Sequence, residues 1–295
     1  MPNSLNRPLA ASLWMSGSIA GFTALAISGR ALTGSLDTFG MMFYRSAIGF
    51  AAVLSFAILT RRTGEIGTEA LGLHALRNVI HFAGQNLWLF ALPLIPLAQL
   101  FALEFSSPIV VAILAPLILG ERLSLVRVLV ILAGFAGILI VARPFGMTTL
   151  SPGLIAAVLC AVCFGGTALA TKRLTRRVSV IAILFWLTVM QTAFGLAVAG
   201  YDGTMALPRA SDLHWVLVLG LSGIVAHLGL TKALSLAPAT VVTPIDFLRL
   251  PIIAVIGAMF YGEPLDVWVL LGGAVIFAAN WVNIVVENRR NRATT

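Results

Sequence analysis

Residues 91–96 read Ala-Leu-Pro-Leu-Ile-Pro, and residues 233–238 read Ala-Leu-Ser-Leu-Ala-Pro. The two stretches stand 142 positions apart. The same shift carries Glu104-Phe105 onto Asp246-Phe247, and Gly120-Glu121-Arg122-Leu123 onto Gly262-Glu263-Pro264-Leu265, without a gap. Matching proline, acid-Phe and Gly-Glu at one offset distinguishes this pattern from the casual similarity of two Leu/Ala-rich runs. The chain therefore reads as a duplication, residues 1–146 and 147–295. Ten apolar segments surround the repeated motifs, roughly at 10–30, 38–60, 71–92, 96–119, 124–142, 152–171, 179–200, 212–235, 239–261 and 265–286. Five fall in each half. An odd number of crossings makes the second half enter a membrane from the opposite side, which gives inverted repeats with a binding site where the halves meet.

Composition points the same way. Of 295 residues, 59% are hydrophobic and 10% charged, with a mean hydropathy of +1.01. A soluble domain is roughly a quarter charged, so this chain has too few polar side chains to cover a water-soluble globule. A soluble enzyme and a disordered or fibrous chain are both excluded. A membrane helix needs about 20 apolar residues, so ten would use about 200, leaving about nine per loop or tail. A β-barrel is excluded because the runs lack period-two alternation and are about twice strand length. The expected fold is all-α and integral to the membrane: ten transmembrane helices as two inverted five-helix repeats around a central cavity. The first apolar run outlasts a signal peptide and is read as a retained helix.

The net charge of +8 does not indicate nucleic acid, since no basic run with interleaved aromatics occurs. It sets topology instead. With a cytoplasmic N-terminus, twelve Lys and Arg lie on the inner side: Arg7, Arg61, Arg62, Arg122, Arg127, Lys172, Arg173, Arg176, Arg177, Arg289, Arg290 and Arg292. Three lie on the outer side, Arg30, Arg143 and Arg209. The positive-inside rule then places both termini in the cytoplasm, and the expected location is the inner (plasma) membrane. Cys160 and Cys163 form a C-x-x-C inside an apolar run with no His nearby, so they read as small hydrophobes rather than a redox or metal site.

Five-helix halves, each with an Ala-Leu-x-Leu-x-Pro approach to its fourth helix and a Gly-Glu exit, resemble the EamA-type members of the drug/metabolite transporter superfamily. The resemblance covers the whole chain. Tyr44-Arg45 and Leu76-Arg77 are also similar to a branch of proposed S-adenosylmethionine carriers. The family implies a ten-helix bundle, a central cavity and alternating access. It leaves the substrate open among amino acids, vitamins, nucleoside-type compounds and drugs, and it supplies no agreed set of binding residues.

Ionisable groups inside helices are costly, so each is a candidate site. His74, Arg77, His81, Gln85 and Trp88 fall on one face of the third helix, a stripe of roughly 16 Å from Arg77 to Trp88. His81, Gln85 and Trp88 read as a cavity wall, while His74 and Arg77 can snorkel to the inner end. Phe101, Glu104, Phe105 and Pro108 share a face of the fourth helix. Arg45 lies at nearly the depth of Glu104, and either an ion pair between them or a direct substrate contact fits. Asp246 and Arg249, at i and i+3, can interact. Gln85 maps onto His227 under the repeat, which suggests a shared cavity, with a satisfied core histidine as the alternative for His227. The substrate-cavity candidates are therefore Tyr44, Arg45, His81, Gln85, Trp88, Phe101, Glu104, His227, Asp246 and Arg249. Arg45, Arg77 and Arg249, with Lys232 if it stays in the bundle, outnumber the two intramembrane acids Glu104 and Asp246, which favours a carboxylate or phosphate on the ligand. Gly17 and Gly21 form a G-x-x-x-G suited to close helix packing.

No cofactor or metal site is expected. The partners are a small organic substrate and the lipid bilayer, with protons as a possible coupling ion and a monomer or homodimer as the assembly. An integral-membrane enzyme or a channel is the alternative to a secondary transporter. Against the first stands the lack of a reactive motif such as H-E-x-x-H, and against the second the lack of a selectivity loop.

Overall fold

The computed structural model describes residues 6–119, 125–143, 151–201, 205–236, 242 and 245–293. Gly120, Glu121, Arg122, Pro144, Gly203, Pro238 and Pro244, which carry part of the repeat and its turns, lie outside the described residues. The helices are α1 (Asn6–Leu32), α2 (Thr38–Leu59), α3 (Leu71–Ala91), α4 (Leu97–Glu104), α5 (Ser107–Leu119), α6 (Leu125–Ala142), α7 (Pro152–Leu174), α8 (Val180–Ala199), α9 (Leu213–Leu236), α10 (Arg249–Tyr261) and α11 (Val267–Ala293). Among the described residues there is no strand.

Side-chain caps begin several of them. Asp37 Oδ1 accepts from Gly40 N at 2.6 Å ahead of α2. Ser151 and Ser179 do the same for α7 and α8, satisfying amide donors that a helix start otherwise leaves open. Seven described stretches are long and apolar enough to cross a membrane. α3 is not among them because its interior face is polar, and α10 because it has only 13 residues. The outer faces are apolar, with Leu59, Leu129, Phe135, Met259 and Phe260 exposed. Inside, His74, Arg77, Asn78, His81 and Gln85 are buried. Apolar surface around a polar interior is the arrangement a bilayer selects.

The fourth apolar run, expected as one helix, is broken at Phe105-Ser106 between α4 and α5. Pro108 has no N–H, so the helix cannot continue its ladder through that turn. The Phe105 carbonyl accepts instead from Asn280 Nδ2 on α11 at 2.8 Å. In the second half, residues 245–247 are helical and the turn falls at Leu248, before α10. Leu248 is Ser106 shifted by 142 residues.

The most extensive helix pairs are α1 with α9, α3 with α7, α2 with α8 and α6 with α11. Under the 142-residue shift α1 falls on α7 and α3 on α9, so the first two pairs exchange and the last two map onto themselves. The close approaches follow suit. A Cβ on Gly21 would meet Ala226 N at 2.7 Å, and one on Gly84 would meet Cys163 Cβ at 2.8 Å. Gly21 shifts onto Cys163, and Gly84 onto Ala226. Cys163 is thus a packing residue opposite a glycine. Gly17 has nothing within 4 Å of its Cβ position, so of the G-x-x-x-G pair only Gly21 makes the close approach.

Candidate functional site

The broken helices aim their ends at one another. Glu104 closes α4, and Arg249 opens α10 one turn after Asp246. Arg249 Nη2 lies 3.4 Å from Glu104 Oε1, and its Nε lies 3.5 Å from Asp246 Oδ1. The two acids related by the repeat therefore share one guanidinium. Its carbon sits 4.4 Å from the Phe22 ring centroid, 4.8 Å from Phe105 and 5.1 Å from Phe101, faces that favour a cation. Trp88 Nε1 donates to the other Glu104 oxygen at 2.9 Å. With Arg249 only 3% exposed, this is a buried charge cluster in which one cation faces two acids. The expected Glu104–Arg45 pair does not form. Equal depth on two helices did not place their side chains on facing sides, and Arg249 reaches Glu104 across the helix break.

The α3 stripe does face the interior, but mostly into packing. Arg77 does not snorkel. Its Nε donates to Thr171 Oγ1 at 2.9 Å and its Nη1 to Asn78 Oδ1 at 3.0 Å, and Asn78 Nδ2 donates to the Trp186 carbonyl at 3.2 Å. His81 lies between Phe164 and His227, with ring centroids at 5.8 and 6.4 Å. His227 in turn meets Phe22 at 5.4 Å. Phe22, which the sequence did not single out, thus links the Arg249 cluster to the paired histidines. Gln85 is buried with its Oε1 unbonded.

A cavity of about 520 Å³ opens between α2, α8 and α9. Arg62, Val180 and Lys232 line one end, where α2 and α9 finish and α8 begins. It extends to Arg45, Gly220 and Gln191, seven or eight residues from the opposite helix ends. From Phe56 to Arg45 along α2 this is roughly 16 Å. The walls are largely apolar, with Leu184, Leu187, Ile224 and Leu228, and Thr188, Gln191, Gly223 and His227 lie toward the inner part. Arg62 is bonded to Glu65 at 2.6 and 3.1 Å, and that bond holds the Glu65 carboxyl below its ordinary range.

Of the sequence candidates, Arg45 and His227 line this cavity. His81, Gln85, Trp88, Phe101, Glu104, Asp246 and Arg249 are not among its lining residues. Tyr44 donates its hydroxyl to the Ala206 carbonyl at 3.0 Å, also off the cavity. The α8 wall was missed, although Thr188 and Gln191, three residues apart on an apolar helix, are a polar signal of the kind read on α3. A second sign was the pair Gly220 and Gly223, which lets α9 approach α2 closely at Ile48 and at Arg45.

The other end of the bundle is cross-linked by ion pairs and hydrogen bonds. Gly262 takes φ 64°, the left-handed turn open to glycine, and folds Glu263 back so that its amide bonds the Gly257 carbonyl. Glu263 then pairs with Arg30 at the end of α1 and accepts from Leu97 N, the first amide of α4, at 2.8 Å. Arg30 also donates to the carbonyls of Leu92 and Ile95. The Ala-Leu-x-Leu-x-Pro motif of one half is thereby fastened to the Gly-Glu motif of the other. Arg143 pairs with Asp266 nearby.

Comparison with known proteins gives consistent results. The model of the EamA-like transporter family matches twice, over residues 9–143 and 151–285. A riboflavin transporter of Rhizobium johnstonii is 32% identical over 97% of this chain and 95% of that protein. An S-adenosylmethionine uptake transporter of Rickettsia bellii is 26% identical over 94% of each chain. A pseudopaline exporter of Pseudomonas aeruginosa is 28% identical over 81% of this chain and 83% of its own. A solved crystal structure has the same fold, with a TM-score of 0.64 at 20% identity over 95% of this chain and 98% of that one.

Proposed function

This chain belongs to the EamA-like transporter family and is a membrane transporter of small metabolites, not an enzyme; from that premise we propose how it carries its cargo. The cavity between α2, α8 and α9 is the substrate site, seen here open toward one face. The observation that carries this reading is the cavity itself, whose ≈ 520 Å³ falls within the few hundred to a thousand Å³ of small-molecule sites. The cargo is a small organic metabolite of the vitamin, nucleoside or amino-acid kind. Relatives named for riboflavin and S-adenosylmethionine support that size class.

The architecture is two inverted five-helix repeats, residues 1–146 and 147–295, making ten transmembrane helices. One family match in each half, the exchange of helix pairs under the shift and the matched helix breaks support it. The termini are cytoplasmic and the membrane is the inner one. Twelve Lys and Arg against three support that orientation, as does the pairing of Arg30 and Arg143 with acids on the sparse side. The cavity then opens to the cytoplasm, and the Arg30–Glu263 tie is the closed outer gate. Alternating access exchanges the two ends. The shift relates Arg30 to Lys172 and Glu263 to Glu121, which makes those residues the inner counterpart of the outer gate.

The test is release from proteoliposomes holding the full chain and loaded with a small-metabolite extract, read by mass spectrometry. At least one organic compound leaves in a protein-dependent, saturable way and is accelerated by the same compound outside. Release no faster than from empty liposomes, for every compound, refutes the transport reading.

A further inference from the structure

We propose that the deep end of the cavity, away from its mouth, is an anion site. There the Arg45 guanidinium, seated against Gly223, binds a carboxylate or phosphate of the cargo, so the transported compounds are organic anions with an apolar body. This rests on the cavity being the transport site.

Among the described residues, the other arginines held between helices have partners. Arg249 shares Glu104 and Asp246, Arg77 bonds Thr171 and Asn78, and Arg30 has Glu263. Arg45 makes no ion pair or hydrogen bond with any described residue, and its Nε is shielded without a partner. A cation held between helices with no counter-charge is costly, and a ligand oxyanion removes that cost. A guanidinium also offers the two parallel donors that a carboxylate or phosphate accepts.

Two further observations choose the ligand's charge and shape. Among the described residues lining the cavity there is no Asp or Glu, and the nearby buried acids are held on Arg249. A net-cationic cargo would meet Arg45 with nothing to neutralise it. The apolar walls at Leu184, Leu187, Ile224 and Leu228 suit an aromatic or aliphatic body beyond the anionic group. Gly223 fixes where the guanidinium rests: a Cβ there would stand 2.9 Å from Arg45 Nε and 3.0 Å from Nη2. Those atoms are the end of a flexible side chain, so Gly223→Ala displaces the guanidinium and leaves the backbone in place.

The full-length protein in nanodiscs is titrated with three probes on one indole ring: indole-3-acetate (anion), indole-3-acetamide (neutral) and tryptamine (cation). Binding is read from the rise in unfolding temperature with ligand concentration. Indole-3-acetate binds about tenfold or more tightly than the amide, the gain of hydrogen bonds to a charged group, and tryptamine binds most weakly. Arg45→Gln removes the preference, Arg45→Lys keeps part of it, and Gly223→Ala narrows the acetate-to-amide ratio. Equal binding of all three probes, or of none, overturns the assignment, as does a folded Arg45→Gln that keeps the preference. If Arg45→Gln does not fold, the Lys and Gly223→Ala variants decide. The release assay separates the two readings: release of only neutral or cationic compounds overturns the anion site and leaves transport standing, whereas no release refutes transport itself.

Discussion

Removing Arg249 leaves Glu104 and Asp246 buried without their shared cation. At 3.4 and 3.5 Å, each pair has a Coulomb attraction of about 5 kcal/mol at an effective dielectric of about 20. Desolvation cancels much of it, and loss of one partner from a buried pair costs about 3–5 kcal/mol. Arg249→Gln is expected in that range, and it also deprives the Phe22, Phe101 and Phe105 rings of the cation they face. Glu104→Gln alone costs less, about 1–2 kcal/mol, because Asp246 still faces Arg249 and the amide still accepts from Trp88. Combined, the two fall short of additivity by about 1.5 kcal/mol or more. A further Asp246→Asn recovers most of the loss, since no unpaired charge remains. The assay is unfolding in mixed micelles by SDS titration, followed by circular dichroism under conditions where refolding is reversible. Additivity within about 0.5 kcal/mol would refute the shared-cation reasoning. A Glu104→Gln/Arg45→Gln cycle is expected to be additive, and coupling there instead would restore the pairing suggested by depth alone.

Three other outcomes are expected. Gly21→Ala forces α1 off the α9 backbone at Ala226 and costs about 1–3 kcal/mol, whereas Gly17→Ala, with open space at its Cβ, gains up to about 1 kcal/mol of helix propensity; equal effects in the same SDS titration contradict the close approach. Glu263→Gln loosens the outer gate and raises labelling of a cysteine at position 97 by an outside thiol reagent, in a background lacking Cys160 and Cys163; Glu121→Gln lowers it, and a matching change in both variants contradicts inverted gating. A C-terminal reporter that fluoresces only in the cytoplasm is bright, and a dark reporter on a well-expressed chain contradicts the helix count as well as the orientation.

Helices and their approximate limits were legible in the sequence, because each depends on quantities that are local or periodic. Apolar length sets where a helix can lie in a bilayer. Proline at 108 marks where a ladder must break, and one 142-residue offset relates motifs in the two halves. Burial of the α3 stripe was legible for the same reason, since polar residues on one face cannot point at lipid. Partnership was not legible. Equal depth made Arg45 the natural neighbour of Glu104, yet which sides of two helices face each other depends on their rotation about their own axes. Small-residue approaches such as Gly21 against Ala226 and Gly84 against Cys163 set that rotation only once the helices are packed. The same packing set Phe164 and His227 against His81 on α3 and left a cavity between α2, α8 and α9. Sequence periodicity assigns a residue to the interior, but only the tertiary structure decides whether that interior is a charge cluster, a packed ring or an open site.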